Sequence, residues 1–178
     1  MTYRMRLYLN RMHRIDSNVC VAVNHTSQYR IVRDGFRLVS RLGDGIFWYG
    51  LMLAIFMLKG AESIPCVLHM SLSGLTGTVF YKWIKSKTLR PRPYEVHQDI
   101  CLTGTPLDKF SFPSGHTLHA VVFSVVAISY YPQLSVIVMP FTALVGFSRV
   151  VLGLHYPSDV LAGAGIGALI ACLSFMLI

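Results

Sequence analysis

The sequence predicts an all-α fold: a polytopic transmembrane helical bundle of five to six spans, preceded by an N-terminal amphipathic helix in the membrane interface. Two observations carry this. Of the 178 residues, 53% are hydrophobic and 13% charged, a balance that points to a membrane protein. The apolar residues also fall in runs close to the roughly 20 residues needed to cross a hydrocarbon core. The length suits one domain, 1–178, made of an interfacial segment 1–34 and a helical bundle 35–178.

The elements follow in order. Residues 1–15 intersperse Arg4, Arg6, Arg11 and Arg14 with Met, Tyr and Leu, the pattern of a helix lying in the interface. They lack the basic, apolar, small-residue order of a cleavable signal peptide. Residues 16–34 read as helix and turn near the surface. Ile46–Leu58 is apolar but short, and it reaches span length by extending back through Gly35–Gly45. That extension sets Arg37, Arg41 and Asp44 near the surface or against protein. Runs 61–84, 114–131, 133–152 and 158–178 supply four further spans. Pro132 leaves almost no loop between the third and fourth spans, which predicts a tight antiparallel hairpin, and Pro140 is placed to kink the fourth. Gly163, Gly165 and Gly167 lie inside an apolar run with no strand before them. They predict a helix-packing face, within or between chains, rather than a phosphate loop.

The net charge of +8 is concentrated in the first 41 residues and in Lys82–Arg92. Basic residues beside apolar spans contact anionic lipid headgroups, and no soluble domain remains to offer a basic face to nucleic acid. Cys20, Cys66, Cys101 and Cys172 show neither paired nor metal-ligand spacing, so free thiols and no metal site are expected.

Three polar motifs stand at the ends of the apolar runs: Lys85-x6-Arg92-Pro93, Pro113-Ser114-Gly115-His116, and Ser148-Arg149-x5-His155-x3-Asp159. Counting crossings brings all three to one side of the membrane. Lys85, Arg92 and Arg149 form a candidate phosphate clamp, since guanidinium forks match phosphate oxygens and lysine adds a compact charge. Lys82 and Lys87 read instead as snorkelling residues. Ser114 and Gly115 open a span, where free backbone N–H groups attract anions. His155 and Asp159 are spaced so that a carboxylate can fix the tautomer of a nucleophilic imidazole. Ionisable residues in a membrane are costly, and function is their default reading. His119, three residues beyond His116, is a candidate pocket residue, and His69 a hydrogen-bonded core residue. The connection between Lys85 and Pro113, with its segment Tyr94–Phe112, is the candidate selector of substrate.

These motifs resemble those of the type-2 phosphatidic acid phosphatase and vanadium haloperoxidase superfamily, complete and in order, with a catalytic core of 85–159. The resemblance implies that His155 is the nucleophile and forms a phosphohistidine, with Asp159 orienting it. His116 would protonate the leaving group and then activate water. Lys85, Arg92, Ser114, Gly115 and Arg149 would hold the phosphoryl group, with no metal or other cofactor. The implied activity is hydrolysis of a phosphorylated lipid of the undecaprenyl diphosphate, phosphatidylglycerophosphate or phosphatidic acid class. A lipid phosphotransferase would use the same residues, and a non-catalytic membrane scaffold need not keep them. Bacterial members commonly have six spans and an outward-facing site in the cytoplasmic (inner) membrane. Here the usual first span is replaced by the basic N-terminal segment, so the N-terminus and the site share a side. The arginines favour the cytoplasm for that side; the resemblance favours the periplasm, which is the arrangement expected here.

Overall fold

A computed structural model describes residues 3–177, with side chains from Arg11 onward. The side chains of residues 1–10, which carry much of the expected amphipathic pattern, lie outside the described residues, as does Ile178 at the end of the last expected span. All regular structure among the described residues is helical.

Helix α1 (Tyr3–Asn24) runs nine residues past the expected interfacial segment 1–15. One of its sides is not interfacial at all. Asp16, Cys20 and Asn24 are buried at i, i+4 and i+8, while Met12, Ile15 and Val19 are exposed. The described side chains of the expected interfacial segment, residues 11–15, are exposed; it is residues 16–24, expected as helix and turn near the surface, that dock against protein. A short 3-10 turn, His25–Gln28, leads into α2 (Arg30–Arg41). A one-turn π bulge, Leu42–Ile46, joins α2 to α3 (Phe47–Lys59). Together they make the long first arm that Ile46–Leu58 alone could not.

Gly60, with φ 59°, reverses the chain into α4 (Ile64–Thr88), which has Pro65 in its first turn. The long polar connection holds a short helix, α5 (Pro93–Val96). Then come α6 (Gly115–Tyr130), a turn at Pro132–Leu134, α7 (Ser135–Val151), which runs on through Pro140, and α8 (Pro157–Ser174). Helix within Arg30–Val96, Pro132–Val151 and Pro157–Ser174 is long and apolar enough to cross a membrane, and Gly115–Tyr130 is a shorter apolar helix. Gly60 divides the first of these stretches, so five arms cross the bundle.

Helix α6 is the central post, packed by α4, α7 and α8. Small residues set the spacing. A Cβ on Gly163 or Gly167 of α8 would lie 2.5 Å from the Ser114 or Leu118 carbonyl oxygen of α6. Gly165, also expected on that face, has nothing within 4 Å and points away. Outward, Leu68, Leu72, Val79, Val136, Phe147 and Leu161 are exposed, an apolar girdle suited to lipid contact.

Candidate active site

One end of the bundle gathers the C-termini of α4 and α7, the N-termini of α6 and α8, and the π bulge. His69 sits at the opposite end, where its ring nitrogens meet Tyr130 Oη at 3.3 Å and Ser174 Oγ at 2.7 Å, the packed core role expected of it.

His155 is carried by the loop Leu152–Tyr156, which is buried throughout. Gly153 makes the loop possible. Its φ is +74°, and a Cβ there would lie 3.0 Å from the Cys101 carbonyl and 3.1 Å from Asn24 Nδ2. Tyr156 then N-caps α8, Pro157 occupies the first turn, and Asp159 Oδ2 accepts the Tyr156 N–H at 2.9 Å. The same Oδ2 lies 3.7 Å from His155 Nδ1, beyond hydrogen-bond range. Asp159 is held instead by Arg90, whose Nη1 donates to Oδ1 at 2.5 Å. Catalytic hydrogen bonds of this kind are often loose before substrate binds. Burial, followed by the positive charges of Arg149, Arg92 and Lys85, pushes the His155 imidazole well below its ordinary value, which keeps it unprotonated.

A cavity of about 420 Å³ opens beside it. Lys85, Arg92, Gly115, His116, Arg149 and His155 all line it, six of the eight residues singled out in the sequence. Lys85, Arg92 and Arg149 are buried, whereas Lys82 and Lys87 are exposed, as the snorkelling reading requires. Asp159 stands behind His155, off the cavity wall. Ser114 is not on the wall either: its Oγ is spent on Thr117, 2.9 Å from Oγ1 and 3.5 Å from the backbone N–H. That hydroxyl caps α6 rather than facing the clamp, because Ser114 is the residue on which α8 packs. His119 does reach the cavity, anchored by Thr78 Oγ1 at 2.9 Å and the Gly115 carbonyl at 2.9 Å.

Beyond Asp159, sequence reasoning missed three carboxylates around this site: Asp108, Asp44 and Asp16. Asp108, in the long connection, accepts Lys85 Nζ at 2.6 Å on both oxygens and Arg92 Nη2 at 2.7 Å. It presents to the clamp the kind of two-oxygen anion that a phosphate would. Burial works to raise the Asp108 carboxyl, but the hydrogen bonds and charges of Lys85 and Arg92 outweigh it and hold the group below its ordinary value. Asp44, in the π bulge, is hydrogen-bonded to His116 Nε2. Asp16 of α1 pairs with Arg90 at 2.7 Å and accepts the Ser158 N–H at 2.9 Å. Asn24 ties α1 to both the α4–α6 connection and the α7 terminus, through the Cys101 and Val151 carbonyls. Arg90 stood in plain view in the Arg-Pro-Arg-Pro run, and Asp44, between two glycines, was the one charged residue from Leu42 to Leu58. Nothing in the spacing of Asp16 or Asn24 marked them.

The described residues hold no group of three or more His, Cys, Asp or Glu side chains placed to bind a metal. The donor set at the cavity is cationic, suited to an anion.

Comparison with known proteins agrees with this geometry. Residues 66–178 match the model of the PAP2 superfamily. The chain is 32% identical over 125 residues to undecaprenyl-diphosphatase BcrC of Bacillus subtilis, a match covering 70% of this chain and 64% of that protein. It is 31% identical over 144 residues to phosphatidylglycerophosphatase B of the same organism, covering 75% and 62%. The chain thus spans somewhat less than two thirds of these relatives. Among solved structures, Aquifex aeolicus LpxE superimposes with a TM-score of 0.77 at 26% identity, over 89% of this chain and 93% of that one. The phosphatidylglycerolphosphate phosphatase of Bacillus subtilis gives 0.73 at 27%, over 94% and 86%. With its three motifs converging on one cavity inside a matching bundle, the chain belongs to the PAP2 superfamily.

Proposed function

We propose that this protein is an integral-membrane lipid phosphatase that works through a phosphohistidine on His155. One observation carries the reading: a single cavity gathers three histidines and three buried cations toward one end and continues as a mostly apolar channel. On α4 its lining runs from Lys85 through Thr78 and Leu75 to Ser71, about 21 Å along the axis at about 1.5 Å per residue. Trp48, Met52 and Phe123 face the same channel. A substrate with a phosphate head and an apolar tail satisfies both ends.

In the first step the unprotonated His155 nitrogen attacks phosphorus. The bond to the leaving oxygen breaks, and His116 gives that oxygen a proton. Lys85, Arg92 and Arg149, with the backbone N–H groups around Gly115, hold the charge of the pentavalent transition state. Asp108 gives up the clamp as the phosphate arrives. In the second step His116 takes a proton from water as the water oxygen bonds to phosphorus. The phosphorus–nitrogen bond then breaks and inorganic phosphate leaves. The three cations supply the charge stabilisation, so the proposed reaction needs no metal.

The relatives suggest the substrates to try: undecaprenyl diphosphate, phosphatidylglycerophosphate, phosphatidic acid and a lipid A 1-phosphate. Purified protein in detergent, assayed with chelator present, is expected to release phosphate from at least one of them and to be inhibited by vanadate, which mimics the transition state. Release that persists at saturating vanadate would remove this site from the chemistry. We place the site on the outer face of the cytoplasmic membrane. Turnover of substrate added outside sealed right-side-out vesicles is the expected result, and turnover in inverted vesicles alone reverses the assignment.

A further inference from the structure

We infer that Asp44 is the positioning residue of the acid–base histidine, completing a second His–Asp pair opposite His155–Asp159. The inference rests on the phosphatase reading above and adds to it a residue that none of the three motifs contains.

Asp44 is the one charged residue between Arg41 and Lys59 in the first arm, and a carboxylate in that stretch needs a reason. The backbone supplies one. Leu42–Ile46 forms a π bulge whose Gly45 has φ +132°, a conformation that excludes ordinary side chains. Gly43 lies so close to α7 that a Cβ would stand 3.0 Å from Val145 Cγ2. Bulges of this kind re-aim one side chain and occur at functional sites. Here the re-aimed side chain is Asp44, which lines the catalytic cavity and accepts from His116 Nε2. Its side chain is 34% exposed, against 10% for His116, so the carboxylate keeps some contact with water while fixing a nearly buried ring.

The chemistry follows from the two ring nitrogens. With Nε2–H donated to Asp44, Nδ1 is the nitrogen left for the reacting oxygen. As the phosphorus–oxygen bond breaks, its electron pair takes the proton from Nδ1. The ring becomes neutral and keeps its Nε2–H on the carboxylate. In the second step Nδ1 accepts a proton from water, and Asp44 stabilises the imidazolium that forms. Asp44 touches no reacting atom.

Leaving-group dependence tests this. Phosphorylation by an alkyl phosphomonoester such as phosphatidic acid needs a proton on the departing alkoxide, whereas 4-nitrophenyl phosphate departs without one. With full-length protein in detergent, kcat/KM is measured for both substrates, because it reports the first irreversible step. Asp44→Asn is expected to lose roughly tenfold to a hundredfold on the lipid, within the general-acid contribution of about 10²–10⁴. It is expected to stay within about threefold of wild type on 4-nitrophenyl phosphate. Asp44→Glu should recover part of the loss on the lipid. Equal losses on both substrates, or none on either, would overturn the positioning role while leaving the phosphatase reading intact. Wild-type protein that releases phosphate from none of the four lipids named above, nor from 4-nitrophenyl phosphate, would overturn both.

Discussion

The two His–Asp pairs of the site are built in opposite ways. His155 and Asp159 lie four residues apart around the start of α8, and the turn at Pro157 brings them together. His116 and Asp44 are 72 residues apart and meet because α6 passes the bulge between α2 and α3. The first pair is the more enclosed: both members are buried, only His155 reaches the cavity wall, and Asp159 is also the capping acceptor of its helix and the partner of Arg90. The second pair opens on the cavity, and its carboxylate makes no other side-chain hydrogen bond or ion pair among the described residues. In the proposed mechanism, the pair that holds the nucleophile at one distance from phosphorus is the one built into the scaffold. The pair that meets leaving alcohols and then water is the more open one.

That contrast predicts different responses to the same chemical change. Asp159→Asn should be the most damaging, costing about 2–4 kcal/mol because it leaves Arg90 facing one carboxylate, Asp16, in place of two. A thermal midpoint lowered by several degrees, together with loss of turnover on lipid and aryl phosphates alike, is the expected pattern. Unchanged stability would mean that Asp159 is not part of the scaffold. A smaller effect concerns pH. The buried His155 resists protonation, so the acid limb of kcat/KM that belongs to the nucleophile should lie below the ordinary imidazole value of about 6.5. The sign follows from linkage: unfolded His155 takes up a proton that the folded protein refuses, so its stability contribution is complete above about 6.5 and is lost as pH falls toward the folded value. An acid limb above 6.5, after allowance for ionisation of the phosphate itself, would contradict the buried-nucleophile account. The smallest effect is the stability of Asp44→Asn, whose thermal midpoint should stay close to wild type because the carboxylate is partly exposed. A fall as large as that of Asp159→Asn would erase the distinction between the pairs.

The same distinction explains what the sequence showed. Spans, hairpin and motif ends were legible because each is a local pattern: an apolar run, a proline, a spacing of four. His155, Asp159 and Arg149 are near neighbours in the chain, and Lys85 and His116 mark helix ends. What escaped were contacts made by distant segments. Asp16, Cys20 and Asn24 form a buried stripe, but the mixed polar composition of residues 16–34 read as helix and turn near the surface. Ser114 was read for a free backbone N–H, yet that group donates to the Asp159 carbonyl at 3.1 Å while the hydroxyl caps α6. Asp44 left one trace, a charge between glycines in the apolar stretch that follows Arg41, which reads as a site once a partner is sought for it.

The central claim is that His155 carries the phosphoryl group, and trapping tests it most directly. Wild-type protein mixed with a ³²P-labelled lipid phosphate and quenched in alkali is expected to retain label that is stable to base and released by acid. His155→Ala should retain none while remaining folded and inserted in the membrane. Label retained by His155→Ala at the wild-type level, or turnover near normal in that variant, would contradict the account.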